Sequence, residues 1–410
     1  MNKLFIKKYL FYTIFGILVG LVVGGLDTIF GIVLIQISEI RDKLMPLIAL
    51  FLPFIGIFIT LMYKNFGKNS IKGMNLVFSV ANDNKKEEIP RRLIPFVVIS
   101  TWLTHLFGGS AGREGVAVQI GATFSNSFGK ILLKYIDLDW SKEKKIIIST
   151  GMAAGFAGLF GTPMAATIFA LEVLTLGLLD YTALFPALVA SFTAYGTSTF
   201  LGLPHFHIDI RSIPEMNFKN IVLVVIASLF FSIVGMSFAI LLKLFKVKSQ
   251  KLFSSPVKRI FYGGIIVSVL IILFWNGRYS GLGTNLINQS FGITDGKIYY
   301  YDWILKLLLT VLTLSIGFQG GEVTPLFAIG ASFGVFIAGF IGLPVMFLAA
   351  IGYSAVFGAA TNTFLASFLI GIEVFGYKMA PFLFLGCAIS YLFSGEVSIY
   401  SEQKKMNPKI

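Results

Sequence analysis

Residues 108–116 read Gly-Gly-Ser-Ala-Gly-Arg-Glu-Gly-Val, so four glycines, a serine and two opposite charges open an otherwise apolar run. Glycine leaves backbone N–H groups accessible and permits unusual conformations. A glycine-rich turn leading into a helix is an anion-binding arrangement, because unpaired N–H groups and the helix dipole both favour negative charge. Gly112, Arg113 and Gly115 are therefore candidate anion-binding residues, and Glu114 is itself an anion in such a site. Its carboxylate can take the place of a transported ion. Protonation removes the charge and admits the ion, which couples proton movement to anion movement. The competing reading is a salt bridge to Arg113, or a helix-terminal carboxylate with only a structural task. Ionisable residues at membrane depth are functional candidates by default.

Two further turns have the same character. Residues 317–325, Gly-Phe-Gln-Gly-Gly-Glu-Val-Thr-Pro, present a glycine-rich helix entry, with the backbone N–H of Val323 and the hydroxyl of Thr324 as donors and Pro325 suited to a first turn. Glu322 reads as structural, favouring the dipole or pairing with a cation. In the turn Gly73-Met74-Asn75, Met74 reads on its own as packing. Residues 112–124 match 321–333 without gaps at an offset of 209, and 162–173 match 363–374 at an offset of 201. Two pairs in one order point to a duplication. On that alignment the equivalent of Glu114 is Val323, so the architecture does not demand a carboxylate there. Transporters built from two halves place their substrate sites near the midplane, at the repeat interface, where broken helices point their N-termini at an anion.

The elements that must carry these turns are membrane helices. The chain has 410 residues, 56% hydrophobic and only 13% charged, with a mean hydropathy of +0.83. A soluble chain carries about 25% charged residues. Apolar stretches recur along nearly the whole length, several reaching the roughly 20 residues a spanning helix needs. Open sheets cannot span lipid, so the class is an all-α polytopic membrane protein. The first stretch follows Lys3, Lys7 and Lys8, is long and carries Gly16, Gly20, Gly24 and Gly25, so it reads as a retained helix rather than a cleaved signal.

Residues 1–245 are expected to form the first half, 246–259 a basic linker, and 260–410 the second half; 64–92 is a further polar break. The net charge of +13 resides between apolar stretches, in clusters that include Lys64/Lys68/Lys72, Lys85/Lys86/Arg91/Arg92, Lys142/Lys144/Lys145 and Lys404/Lys405/Lys409. Membrane orientation accounts for it better than nucleic acid, and it places both termini in the cytoplasm. The single Cys387 permits no intrachain disulfide. His205 and His207 sit in a polar connection and read as loop histidines rather than a metal site. No nucleotide-binding loop, metal cluster or nucleophile triad is present, so neither an enzyme nor a bound cofactor is expected.

These motifs resemble the CLC family of chloride channels and proton-coupled exchangers. Gly112-Arg-Glu-Gly115 matches the family's most specific motif with its gating glutamate. Gly320-Gly-Glu-Val-Thr-Pro325 resembles the second-half anion motif, Gly161-Thr-Pro-Met164 a helix entry, and Ile399-Tyr-Ser401 the segment with the anion-coordinating tyrosine, here Tyr400. The resemblance implies an inverted repeat of tilted, broken helices, a pore in each subunit of a homodimer, and membrane lipid as surroundings. The departures are specific. Met74 stands where chloride carriers have a serine, Val116 replaces a proline, and Glu-Val-Thr replaces the commoner second turn. Glu172 is followed by Val173, so the usual inner proton glutamate is missing. Together these resemble the bacterial fluoride-exporting branch, with Phe78 as an aromatic near the gate. The implied function is fluoride/proton antiport at the plasma membrane, with fluoride and H+ as the transported ions and a chloride/proton exchanger or passive channel of the same fold as alternatives. A fluoride site must be rebuilt because the ion is small and strongly hydrated. The chain stops within ten residues of Tyr400, so no nucleotide-binding tail is expected.

Overall fold

The computed structural model describes residues 3–82, 87–136 and 138–405, with side chains from residue 6. Lys85, Lys86 and Lys409 lie outside the described residues, as does the side chain of Lys3. Sixteen α-helices follow in order among the described residues: α1 Lys3–Leu44, α2 Leu52–Met62, α3 Met74–Ala81, α4 Leu93–Leu106, α5 Glu114–Leu132, α6 Trp140–Phe160, α7 Pro163–Glu172, α8 Leu184–Phe200, α9 Phe218–Leu252, α10 Pro256–Leu273, α11 Thr284–Ser290, α12 Asp302–Ile316, α13 Val323–Ile341, α14 Val345–Thr361, α15 Phe364–Phe375 and α16 Ala380–Phe393. The strands are two residues each, β1 Thr175–Leu176 and β2 Lys404–Lys405, paired in parallel.

Among the described residues five segments are long and apolar enough to cross a membrane. Several others are too short to span, and α7, with 10 residues, reaches about 15 Å. Such a helix ends inside the protein, where its terminal groups need internal partners. α7 and α15 solve this for each other. Glu172, at the end of α7, accepts the N–H groups of Phe364, Leu365 and Ala366 at 2.7, 3.1 and 2.9 Å, the first turn of α15. Glu373, in the last turn of α15, accepts those of Met164 and Ala165 at 3.0 and 2.8 Å, the first turn of α7. The two glutamates are the repeat-related pair at an offset of 201.

The matched motifs lie on α5 and α13, and on α7 and α15, eight helices apart in both cases. On that register α1–α8 oppose α9–α16 as an inverted repeat, and we infer that the halves meet at residues 201–217. The run 246–259, expected as a linker, is largely helical. Residues 246–252 are the end of α9, where lysines favour the negative end of the dipole, and the break is only Phe253–Ser255 before Pro256 opens α10.

Close crossings repeat as well. A Cβ on Gly121 of α5 would strike the carbonyl of Gly151 on α6, and one on Gly330 of α13 would strike that of Gly352 on α14. Lipid offers little hydrophobic drive between helices, so small residues that let backbones approach carry the packing. Lys8 pairs with Glu143 and Lys145 with Asp180, each at 2.7 Å, and Thr175 pairs with Lys404. Both ends of the described chain therefore share one basic face.

Candidate anion site

The two glycine-rich turns meet at repeat-related residues. Gly112 N–H donates to Gly321 O at 2.5 Å, and Gly321 N–H donates back to Gly112 O at 2.8 Å. A Cβ on Gly112 would lie 2.8 Å from Pro325 Cδ and 2.9 Å from Gly321 O, so only glycine lets the turns join. Behind them, Gly281 N–H donates to Gly109 O at 3.0 Å, and Ala111 N–H donates to Gly281 O at 3.2 Å. The buried Lys306 of α12 fastens this layer, donating to Ser110 Oγ at 2.9 Å, Tyr279 O at 3.1 Å and Gly281 O at 2.7 Å.

Glu114 is the first residue of α5 and is fully buried. Its Oε2 accepts the N–H of Thr324 at 3.1 Å and the Thr324 hydroxyl in a short bond. Thr324 is the second residue of α13, so the carboxylate sits on that helix's N-terminal N–H groups, where an anion is favoured. Arg113 Nε stands 3.6 Å from Oε1, and Oε1 has no hydrogen-bond partner. The pairing with Arg113 and the seat at α13 thus involve one carboxylate.

Gly73 (φ +53°) turns the chain into α3, and its missing Cβ leaves room for Gln119 Oε1, which would otherwise lie 3.1 Å away. A Cβ placed on Gly115 would find Gly321 Cα at 3.4 Å, Glu322 Oε2 at 3.7 Å and Met74 Cε at 4.0 Å. The start of α5, the start of α3 and the entry to α13 therefore converge. Asn75 lines an open cavity of about 570 Å³ together with Lys72, Lys246, Arg259, Gln319 and Glu402. Its bounding residues include Glu402, two residues before β2, so it opens towards the basic face.

Tyr400 is buried with its ring 5.0 Å from that of Phe78 and 6.4 Å from that of Phe169. Its hydroxyl has no partner, and the ring lies within electrostatic range of Glu114 and Glu322. A strap holds the segment. Ile399 N–H donates to Ala360 O at 2.9 Å. Asn362 (φ +61°) donates from Nδ2 to Gly395 O at 3.2 Å and Val397 O at 2.9 Å. Asn82, just past α3, bridges Leu174 O at 3.4 Å and Glu402 O at 3.2 Å.

The sequence-selected residues Gly112, Arg113, Glu114, Gly115, Val323 and Thr324 thus come together, with Gly73, Met74, Asn75, Phe78 and Tyr400 on the flank towards the basic face. His205 and His207 are not part of it. His205 contacts Ser198 Oγ at 3.3 Å and His207 Nδ1 lies 3.0 Å from Glu373 O. Among the described residues no group of three His, Cys, Asp or Glu side chains could hold a metal. Sequence reasoning missed Gln119, Lys306 and the proximity of Glu322. Their signal was a lone polar residue in an apolar run, which also marks ordinary packing positions.

Known proteins resemble this chain in sequence and fold. The family model described as voltage gated chloride channel matches residues 55–395. A "chloride/fluoride channel protein" from Pseudomonas syringae pv. tomato is 36% identical over 393 residues, covering 94% of this chain and 85% of that one. Among solved structures, a CLC-type fluoride/proton antiporter is 48% identical with a TM-score of 0.92, covering 96% of this chain and 98% of that one. A slow cyanobacterial Cl-/H+ antiporter is 19% identical with a TM-score of 0.79, covering 93% of this chain and 94% of that one, a likeness of fold.

Proposed function

Because the chain belongs to the voltage gated chloride channel (CLC) family, a family of anion transporters rather than enzymes, we propose that it exports fluoride in exchange for protons, with Glu114 as gate and proton carrier. The observation that carries this reading is the Glu114 carboxylate on the N–H and hydroxyl of Thr324. A charged side chain there fills an anion seat at a helix N-terminus. Protonated, Glu114 loses its charge and its advantage over a free anion. The anion then takes the Thr324 donors, and the displaced acid carries its proton. Loss of that proton restores the competitor. One seat shared by two anions gives exchange without a separate coupling device.

The rest of the site fits a small, strongly hydrated ion. Tyr400 holds an unpaired hydroxyl donor at the site. Met74 supplies no hydroxyl where chloride carriers of the family have one, so the chloride ligand set is incomplete. The 48% identical relative, a CLC-type fluoride/proton antiporter, supports fluoride, and the name of the 36% identical relative includes both fluoride and chloride. Val173 is buried and cannot carry a proton. Glu322 is instead the carboxylate beside Met74, within electrostatic range of Lys246 in the basic cavity. The basic face that carries both ends of the described chain belongs in the cytoplasm by the positive-inside rule, and the working unit is a homodimer in the plasma membrane.

Purified protein in fluoride-loaded or chloride-loaded liposomes, with anion efflux and proton uptake recorded together, tests the proposal. Fluoride efflux should draw protons in and should far exceed chloride efflux. Equal chloride efflux would instead make the chain a chloride carrier, and fluoride efflux without proton uptake would make it a channel. Glu114→Gln should lose proton-coupled fluoride transport; uphill proton pumping by that variant refutes the role of Glu114.

A further inference from the structure

A second cavity, of about 630 Å³, lies at the base of α5 and α6 on the basic face, away from the anion path. Arg91, Lys130 and Lys134 line it with Asn126, Ile131 and Trp140. Lys130 lies 5.4 Å from the Trp140 ring centroid and 3.3 Å from Glu88 Oε1, and Glu88 is mostly exposed. Glu88 thus offsets one of three positive charges. Among the described residues, Arg91 and Lys134 have no carboxylate partner. Asn126 adds a separate observation: it is 2% exposed, it lines the cavity, and its Oδ1 has no hydrogen-bond partner. A buried amide group left unpaired costs free energy, so a polar ligand in the cavity would satisfy it.

The wall of this cavity also presents apolar and aromatic side chains outward. Ile131 is exposed, and Tyr135, one turn on, is 81% exposed. Tyr and Trp gather where hydrocarbon gives way to water, which places Tyr135 and Trp140 at the headgroup level. Basic pockets between transmembrane helices on the cytoplasmic side suit anionic headgroups. We propose that this cavity seats the headgroup of an anionic phospholipid, with Arg91, Lys130 and Lys134 on the phosphate, the Asn126 carboxamide on a headgroup hydroxyl, and an acyl chain along Ile131. A hydroxyl-bearing headgroup, as in phosphatidylglycerol, satisfies the orphaned Asn126 oxygen. A choline headgroup has no donor for it.

The test is native mass spectrometry of the full chain, titrated in detergent with phosphatidylglycerol, phosphatidylcholine or inorganic phosphate. The wild type should retain phosphatidylglycerol over phosphatidylcholine. Arg91→Gln/Lys134→Gln should weaken that binding about 30-fold, at about 1 kcal/mol or fivefold per cation. Lys142→Gln/Lys258→Gln removes two exposed lysines outside the cavity and should leave it unchanged. Equal losses in the two double variants would mean a general basic surface and overturn the site, as would wild-type affinity in Arg91→Gln/Lys134→Gln. Displacement of the lipid by millimolar inorganic phosphate would make this a phosphate site and overturn the lipid assignment. Unchanged thermal unfolding of both variants separates lost binding from lost fold.

Discussion

The claim that Glu114 and fluoride share one seat can be weighed at Thr324. Thr324→Val keeps the side chain's shape and the backbone N–H at 3.1 Å from Glu114, and removes only the hydroxyl. A hydrogen bond to a charged group contributes about 1.5–3 kcal/mol. At about 1.4 kcal/mol per tenfold, its loss should weaken an anion on that seat by about 10- to 150-fold. In the otherwise native protein much of this effect cancels, because the competitor loses the same donor. The clean measurement is therefore made after Glu114→Ala has emptied the seat. Isothermal titration of fluoride into Glu114→Ala, then into Glu114→Ala/Thr324→Val, should show the full loss, while the apparent KM for efflux should move much less between wild type and Thr324→Val. Equal fluoride affinities in the two variants that lack the Glu114 carboxylate would refute the shared seat, whatever transport does.

The remaining expectations concern the frame around the seat. Glu172→Gln should leave buried N–H groups of α15 poorly satisfied at a cost of about 1–3 kcal/mol, read as earlier thermal unfolding in detergent, with unchanged anion selectivity. Asn362→Gly keeps the positive φ but removes the donor to Gly395 and Val397, so the strap under Tyr400 should loosen and the fluoride KM should rise several-fold, with a modestly lower unfolding temperature. Outside the membrane, the hydrogen bond from Lys72 holds the Glu87 carboxyl below its usual range. Its folded value is depressed, so its contribution to stability is present above the unfolded value near pH 4.3 and is lost as pH falls through the folded one. Glu87→Gln should therefore lower thermal stability slightly at pH 7, by no more than about 1 kcal/mol, and by progressively less as pH falls below the unfolded value.

The seat was legible because glycines and charges are conspicuous in an apolar chain. Gly112-Arg-Glu-Gly115 and its partner turn announced themselves by composition, and their common offset announced the repeat. What the sequence hid is what depends on the partner half. Glu172 and Glu373 end apolar runs identically, yet nothing local says that each satisfies the other helix's first turn. Lys306 drew no reading from the sequence, and it is fully buried on backbone carbonyls. The basic run after residue 243 suggested a linker because lysines mark both loops and helix ends beyond the bilayer, and here they end a helix. Tyr400 was placed by resemblance alone, since the strap that holds it is made of backbone carbonyls.

The symmetry of the frame sharpens the role of its exceptions. Gly112 and Gly321 bond to each other, Gly121 and Gly330 make equivalent crossings, and Glu172 and Glu373 exchange caps. Each of these pairs is identical because one packing problem is solved twice. At the seat the pairs differ: Arg113 faces Glu322 in the alignment, Glu114 faces Val323, and Gly115 faces Thr324. Structural demand alone would have tolerated the same residue in both copies, as it does one position earlier. Two N-terminal turns therefore present opposite chemistry to one point, a carboxylate from α5 and its donors from α13. A symmetric site would hold two carboxylates or two empty seats, and neither can alternate one side chain with one ion. The proposed exchange requires the asymmetry that these three positions supply.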